Sequence, residues 1–317
     1  MTCCPSCAVP VAPEDRYCGE CGAPVGAAPS VAEAACVCGA PASAFDADGF
    51  CGECGRKKAA EADPHDHAEL SLSPHFAAVT DRGRRHERNE DAVLIAEHRC
   101  PQGVFRLLTV SDGVSTSWQP QRASAAAVEA LRDAVFAALD AGLKPEPALE
   151  QGCTVAQDAV CAIAAPDQAE SPAATLVAAL VFDGQALLAW AGDSRAYLLA
   201  PEPRQLTRDD SWMNAVVESG EMSVAEALAS RYAHAIVSCL GPVEDGAAFN
   251  PNFAAVPLPP GATLLLCSDG LWNYAETAED LAKLAAAPDA LAACRDLTAF
   301  ANEAGGRDNI SVAILTS

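Results

Sequence analysis

Beyond residue 75 the chain alternates short apolar runs with longer blocks whose apolar residues recur every three or four positions. Phe76–Thr80, Ala92–Ala96 and Val104–Val110 are of the first kind and predict strands. In Gln121–Leu139, Ala, Val and Leu recur at helical spacing; Pro147–Ala164 predicts a second helix, with its proline acceptable in the first turn. Ala174–Phe182 runs into Asp183-Gly184 and then Gln185–Ala191, the pattern of a hairpin closed by an Asp-Gly turn. A strand over Ala262–Cys267, helices over Ala278–Ala286 and Pro288–Ala304, and a last strand over Ile310–Leu315 complete the series. Strands, a helical pair, more strands and another helical pair predict an α+β sandwich of two sheets with helices outside.

The first sixty residues carry no such periodicity. They carry nine of the fifteen cysteines, spaced as Cys4-x2-Cys7 and Cys18-x2-Cys21, then Cys36-x-Cys38 and Cys51-x2-Cys54. Ten residues separate the first two pairs and twelve the second two. Each half thus offers four thiolates in two close pairs, the donor set of a tetrahedral structural zinc site. Gly22, Gly39 and Gly55 follow the pairs, where knuckle turns bring backbone close to sulfur. The repeat predicts two tandem zinc ribbons in residues 1–58, about 1–25 and 34–58, and two structural zinc ions. Cys3 is a spare that could replace Cys4, and Asp46-Ala47-Asp48-Gly49 reads as a hairpin turn inside the second ribbon. With four Lys/Arg against seven Asp/Glu, residues 1–58 do not suit nucleic acid, and a protein-docking role is expected. Residues 59–74, polar and punctuated by Pro64 and Pro74, read as a linker, and His65 and His67 there as solvated side chains; residues 75–317 form the large domain.

Four acidic motifs are spread through that domain: Arg88-Asn89-Glu90-Asp91, Ser111-Asp112-Gly113, Ser268-Asp269-Gly270 and Arg307-Asp308-Asn309. The middle two each end a strand-like run, so each presents a carboxylate at a sheet edge, with a glycine that lets backbone approach closely. Any one of these acids could simply form a turn or cap a helix. Several of them converging on one point would repel unless cations intervened, and hard oxygen ligands favour Mg or Mn.

A net charge of −23 argues against nucleic-acid or anionic-membrane partners, so any phosphoryl chemistry would need local cations. The chain opens with cysteines rather than a basic-apolar leader, and its longest apolar stretches fall short of a membrane span. A cytoplasmic protein is expected. The dispersed Cys100, Cys153, Cys161, Cys239, Cys267 and Cys294 read as small buried hydrophobes.

The order and wording of the acidic motifs resemble the metal-dependent Ser/Thr protein phosphatases of the PP2C (PPM) family. The resemblance extends to Ser171-Pro172-Ala173-Ala174-Thr175, to Ala191-Gly192-Asp193-Ser194-Arg195-Ala196, and to Leu206–Ser211, where Asp210 stands in place of a His. Ser238-Cys239-Leu240-Gly241 resembles a helix end before a Leu-Gly turn. The resemblance implies two antiparallel sheets between helical pairs. It implies that Asp112 bridges two Mn or Mg ions, with Glu90 and the Gly113 carbonyl serving one and Asp269 and Asp308 the other. Asp91 then holds metal-bound waters, and Asp193 with Asp269 a third, weaker ion. Water between two such ions is acidified enough to attack phosphorus in line. The activity implied is hydrolysis of phosphoserine and phosphothreonine in proteins, opposing Ser/Thr kinases.

Two positions depart from the family. The usual phosphate-binding Arg is His86 here, with Arg85 beside it, so either residue could contact phosphate. The frequent His after the Asp-Gly is Val114. These departures leave room for a catalytically silent zinc-ribbon adaptor; a metal-dependent hydrolase of small phosphoesters is a separate alternative. Oligomeric state and the protein docked by the ribbons are not legible.

Overall fold

The computed structural model describes residues 2–3, 9–11, 38, 40–41, 44, 46, 50–55, 65–242, 249–275 and 277–317. The chain divides into two compact units, Met1–Asp63 and Pro64–Ser317. In the first, strands β1 (Thr2–Cys3) and β2 (Pro10–Val11) pair antiparallel. Farther on, Asp46 and Phe50 are joined by a backbone bond of 2.9 Å, and Asp46 Oδ1 accepts from the Phe50 amide at 2.7 Å. The turn expected between them falls on residues outside those described.

The second unit is a four-layer sandwich. One sheet has six strands, in the order β10 (Arg204–Gln205), β9 (Arg195–Ala200), β12 (Thr263–Cys267), β13 (Ile310–Thr316), β4 (Phe76–Asp81), β3 (His67–Ser73). The facing sheet has five: β11 (Asn252–Pro257), β8 (Gln185–Ala191), β7 (Leu176–Phe182), β6 (Gly103–Asp112), β5 (Asp91–Cys100). Every pairing is antiparallel. Helices α1 (Pro120–Asp140) and α2 (Pro145–Cys161) cover the five-stranded sheet, and α6 (Ala278–Leu284) and α7 (Ala290–Ala304) cover the other.

Side-chain alternation sorts the core into three layers. On β7, Leu176, Ala178 and Leu180 face α1 and α2, whereas Val177, Ala179 and Val181 face the opposite sheet. On β12, Leu264 and Leu266 fill the inter-sheet space, whereas Leu265 and Cys267 pack toward α7. Burial on both faces explains why these strands read as continuous apolar runs. Small residues let the helices close up: a Cβ on Gly152 of α2 would stand 2.5 Å from the Val135 side chain of α1.

The structure corrects several expectations. The expected linker contains strand β3, which pairs with β4 in register Ala68↔Thr80 and Leu70↔Ala78. Nearly every residue of this edge strand is exposed, so it leaves no apolar periodicity to read. His67 is not a solvated bystander, since its Nδ1 lies 2.7 Å from Asp81 Oδ2 and its Nε2 3.4 Å from Glu69 Oε1. The second helix starts at Pro145, so both prolines fall in its first turn. The segment before Gly241 ends no helix; Leu240 bridges Ala174 instead. Among the dispersed cysteines, Cys153, Cys267 and Cys294 are buried as expected, Cys100 and Cys239 are half-buried, and Cys161 is exposed. Helices α3 (Trp212–Glu218), α4 (Val224–Leu228) and α5 (Asp269–Trp272) are too short to carry a periodic signal.

Burial lowers the His67 pKa, but its bonds to Asp81 and Glu69 outweigh that and raise it above the usual value. The stabilisation is therefore full below about pH 6.5 and is lost as pH rises through the raised value. His67→Ala is expected to cost about 0.2–1 kcal/mol near pH 5.5 and close to nothing above pH 8.5, in thermal melts at the two pH values. An equal loss at both would assign His67 a packing role only.

Candidate active site

Strand β5 begins at Asp91 and β6 ends at Asp112, and the two residues are direct cross-strand partners. Val93 and Ile95 on β5, and Leu108 and Val110 on β6, fill the inter-sheet layer. The same alternation places Asp91 and Asp112 on that face, at its rim. From the facing sheet, Asp269 follows β12 and opens α5, while Asp308 lies two residues before the start of β13 at Ile310. Asp193 lies in the turn joining β8 to β9. The strand ends of both sheets thus deliver carboxylates to one place.

Neutral side chains hold them there. Thr175 Oγ1 accepts from the Asp112 amide at 3.0 Å, the Asp112 carbonyl accepts from the Thr175 amide at 2.8 Å, and Ser194 Oγ lies 2.7 Å from the same Thr175 hydroxyl. Ser268 Oγ donates to Asp91 Oδ2 at 2.7 Å and accepts from the Ser311 amide at 3.0 Å. Asn309 accepts from the Glu90 amide at 2.8 Å and donates to the carbonyls of Arg82 at 2.8 Å and Arg88 at 3.1 Å. Ser115 Oγ donates to Glu90 Oε2 at 2.7 Å. The glycines after both aspartates are steric requirements, because a Cβ on Gly113 would meet the Pro120 carbonyl oxygen at 2.4 Å, and one on Gly270 that of Asn309 at 1.9 Å.

Asp91 and Asp193 are buried, and Asp112 and Asp269 half-buried. Taken by themselves, these acids resist ionisation. Burial, then repulsion from Asp308, pushes Asp91 up to about 7. Burial, then Asp209, raises Asp193 to about 6. Burial and the surrounding aspartates raise both Asp112 and Asp269 well above the carboxylate range; Asp112 is repelled by Asp91, Asp269, Asp193 and Asp308. Asp91 Oδ1 and Asp269 Oδ1 are buried with no hydrogen-bond partner. Converging all-oxygen donors, two of them unpartnered, fit hard divalent cations such as Mn or Mg. Isolated turn-forming acids would show neither the convergence nor the orphaned oxygens.

Around this cluster Glu90 is held toward Ser115, and His86 Nε2 lies 3.2 Å from Asp308 Oδ1. Arg85, His86, Arg88, Glu90, Ser115 and Arg307 line an open polar cleft of about 350 Å³. Ser115 stands in none of the sequence motifs, and Thr175, Ser268, Arg307 and Asn309 stand in them without an assigned role. No sequence pattern marks a neutral brace such as Ser115, Ser268, Thr175 or Asn309. Asp210, in place of the family's His, accepts from the Gly192 amide at 3.0 Å and from Asn252 Nδ2 at 3.0 Å, tying down the turn that carries Asp193.

In the first unit, the sulfurs of Cys38, Cys51 and Cys54 lie within 4.8 Å of one another, and Cys38 and Cys51 Sγ are 3.8 Å apart, far beyond a disulfide bond. The other expected ligands, Cys4, Cys7, Cys18, Cys21 and Cys36, lie outside the described residues.

The family model described as Protein phosphatase 2C matches residues 80–304. The Serine/threonine phosphatase stp of Listeria innocua is 32% identical over 246 residues, covering 76% of this chain and 95% of that protein. The crystal structure of the Mycobacterium tuberculosis serine/threonine phosphatase PstP/Ppp aligns with a TM-score of 0.64 at 27% identity, over 76% of this chain and 97% of that one. A structure of the PstP catalytic domain in complex with two manganese ions aligns with a TM-score of 0.60 at 27% identity, over 76% and 97% of the two chains. The chain belongs to the protein phosphatase 2C family.

The raised carboxylate pKa values have a measurable consequence. Stability from their neutral forms is full below about pH 4 and is lost as pH rises through about 6 for Asp193 and about 7 for Asp91. In EDTA, the melting temperature is expected to fall between about pH 5 and 7.5, and excess Mn to flatten that slope by offsetting the repulsion. A slope that Mn leaves untouched would count against a cation site here.

Proposed function

We propose that the chain hydrolyses phosphoserine and phosphothreonine in protein substrates with the aid of two Mn or Mg ions. The observation that carries the reading is the convergence of carboxylates from two facing sheets, with two buried oxygens unpartnered, in a chain of the protein phosphatase 2C family. Asp112 would be shared between the two ions, which Glu90 and the Gly113 carbonyl, and Asp269 and Asp308, would help to hold; Asp91, fixed by Ser268, would accept from waters at the centre, and Asp193 with Asp269 would hold a third, weaker ion. When bound, such ions supply an acidified water and positive charge against the phosphoryl oxygens. The chain's own groups do the rest. Ser115 and Asn309 fix Glu90, and Thr175 fixes the Asp112 backbone. His86 is engaged by Asp308, whereas Arg85 has no carboxylate partner among the described residues, so Arg85 takes the phosphate-facing role with its planar fork. The thiols of Cys267, Cys153 and Cys294 are pushed up by burial and do not suit nucleophilic attack.

We read Cys38, Cys51 and Cys54, with Cys36 as fourth donor, as one structural zinc site, and the earlier Cys4, Cys7, Cys18 and Cys21 as its repeat. The role that suits two small acidic ribbons is docking onto a protein partner. No helix among the described residues is long and apolar enough to cross a membrane.

Two measurements test this. With Mn, the protein is expected to release phosphate from a phosphothreonine peptide, and Asp112→Asn or Asp269→Asn to cut kcat/KM by at least about a hundred-fold, beyond what outer partners of a metal contribute. Wild-type rates in either variant would remove it from the metal centre, and an inactive wild type would favour the adaptor reading. Elemental analysis is expected to find about two zinc ions per chain, falling by about one in Cys51→Ser. Zinc-free protein would overturn the ribbons.

A further inference from the structure

Acidic residues outnumber basic ones 43 to 20 in this chain, and half of the arginines among the described residues meet a carboxylate. Arg82 pairs with Asp66, Arg99 and Arg106 with Glu97, Arg132 with Asp133, Arg195 with Asp209, Arg208 with Glu218 and Arg295 with Glu69. The other seven described arginines, Arg84, Arg85, Arg88, Arg122, Arg204, Arg231 and Arg307, have no carboxylate within 4.0 Å, and of these Arg85, Arg88 and Arg307 line one cleft beside the carboxylate cluster. In a strongly acidic molecule, three exposed guanidiniums left unpaired at one mouth form a local positive region.

The loops bearing them are built, not loose. Asn309 Nδ2 donates to the carbonyls of Arg82 and Arg88, the Arg84 amide donates to the Gly306 carbonyl at 2.8 Å, and the Arg307 amide donates to the Tyr274 hydroxyl at 3.0 Å. Arg82 Nη1 donates to the His86 carbonyl at 2.8 Å. One loop thus carries Arg85 and Arg88, the other carries Arg307, and Asn309 clamps the two together. Glu87 and Glu90 share the cleft, but Glu90 is turned to Ser115.

A single phosphomonoester presents its free oxygens to the cations and to one guanidinium fork. Two further guanidiniums then face whatever adjoins the phosphorylated residue. Resting on the phosphatase reading above, we propose that Arg88 and Arg307 form a subsite for anionic groups flanking that residue. Preferred substrates are phosphorylated segments with carboxylates, or a second phosphate, within a few residues of the group removed. The same charges disfavour segments rich in Lys and Arg.

The test uses the full-length chain with Mn and phosphothreonine peptides that differ only in their flanks: Asp/Glu, Ala/Gln, Lys/Arg, or a second phosphothreonine. The acidic peptide is expected to exceed the neutral one in kcat/KM by about five- to ten-fold, the size two exposed ion pairs can supply, and the basic one to fall below both. The preference should shrink as added salt brings the screening length from about 10 Å toward about 3 Å. In Arg88→Ala/Arg307→Ala the acidic-to-neutral ratio should fall toward one, with p-nitrophenyl phosphate turnover kept; Arg88→Glu should favour the basic peptide. If the doubly phosphorylated peptide outruns the acidic one, the subsite takes phosphate, and the reverse order assigns it to carboxylates. Equal rates across the set would overturn the subsite while leaving the phosphatase reading intact. Loss of p-nitrophenyl phosphate turnover in the double alanine variant would also overturn it, placing these arginines in the machinery. No hydrolysis of any substrate would sink the reading beneath it.

Discussion

Everything at the strand ends of the large unit answers to the mutual repulsion of carboxylates gathered between two sheets. Two unit charges at about 4 Å repel by about 4 kcal/mol at an effective dielectric constant of 20, and this cluster holds several. A folded chain tolerates that only where cations offset it or where the acids stay protonated. The two apolar sheets supply the rigidity, since Leu108, Val110, Leu264 and Leu266 fix the spacing of strands that end in acids. Threonine, serine and asparagine supply the aim, because neutral donors can fix a carboxylate or its backbone without cancelling the charge that a cation needs.

The division between scaffold and site follows strand alternation. Positions that hold Leu and Val in the inter-sheet layer become Asp91 on β5 and Asp112 on β6 where the sandwich opens. Cys267, facing α7, is fully buried; Ser268 then braces Asp91, and Asp269 enters the cluster. One residue per strand therefore changes the chemistry from apolar side chain to carboxylate without changing backbone direction, and the following glycines admit the carbonyls of Pro120 and Asn309 that close the rim.

That logic also sets what could be read in advance. Strands buried on both faces, and helices whose Ala and Leu recur at helical spacing, leave strong patterns, so the layered sandwich and the places of Asp112 and Asp269 were legible. Strand β3 was not, because an exposed edge strand is held by backbone pairing and by His67 and Glu69 rather than by an apolar face. Strand β11 is half exposed and ends at a proline, and α3 and α4 span only seven and five residues. At the site, ligand-type residues announce themselves by charge, whereas Ser115, Ser268 and Asn309 act through geometry that exists only once distant segments meet. The unpaired state of Arg85, Arg88 and Arg307 is likewise a property of the fold.

Asp193 and Asp269 belong to different segments, yet one indole couples them. Trp272 closes the single turn of α5 that Asp269 opens, and its Nε1 donates to the Asp193 carbonyl at 2.9 Å. The Arg195 guanidinium stacks over that ring at 3.6 Å and forks onto Asp209 at 2.8 and 2.7 Å. Arg195 also offsets part of the charge that Asp209 directs at Asp193, so the same group orients the indole and moderates the repulsion. Asp210 then anchors Gly192, whose φ of 107° and close approach to the Thr175 side chain leave no space for a Cβ. Thr175 in turn holds Asp112. The chain from Asp269 through Trp272, the Asp193 turn and Thr175 to Asp112 links carboxylates on facing sheets by packed, hydrogen-bonded groups. The spacing of these carboxylates is therefore fixed by the protein before any cation arrives, which is the condition for selecting an ion by geometry rather than by charge alone.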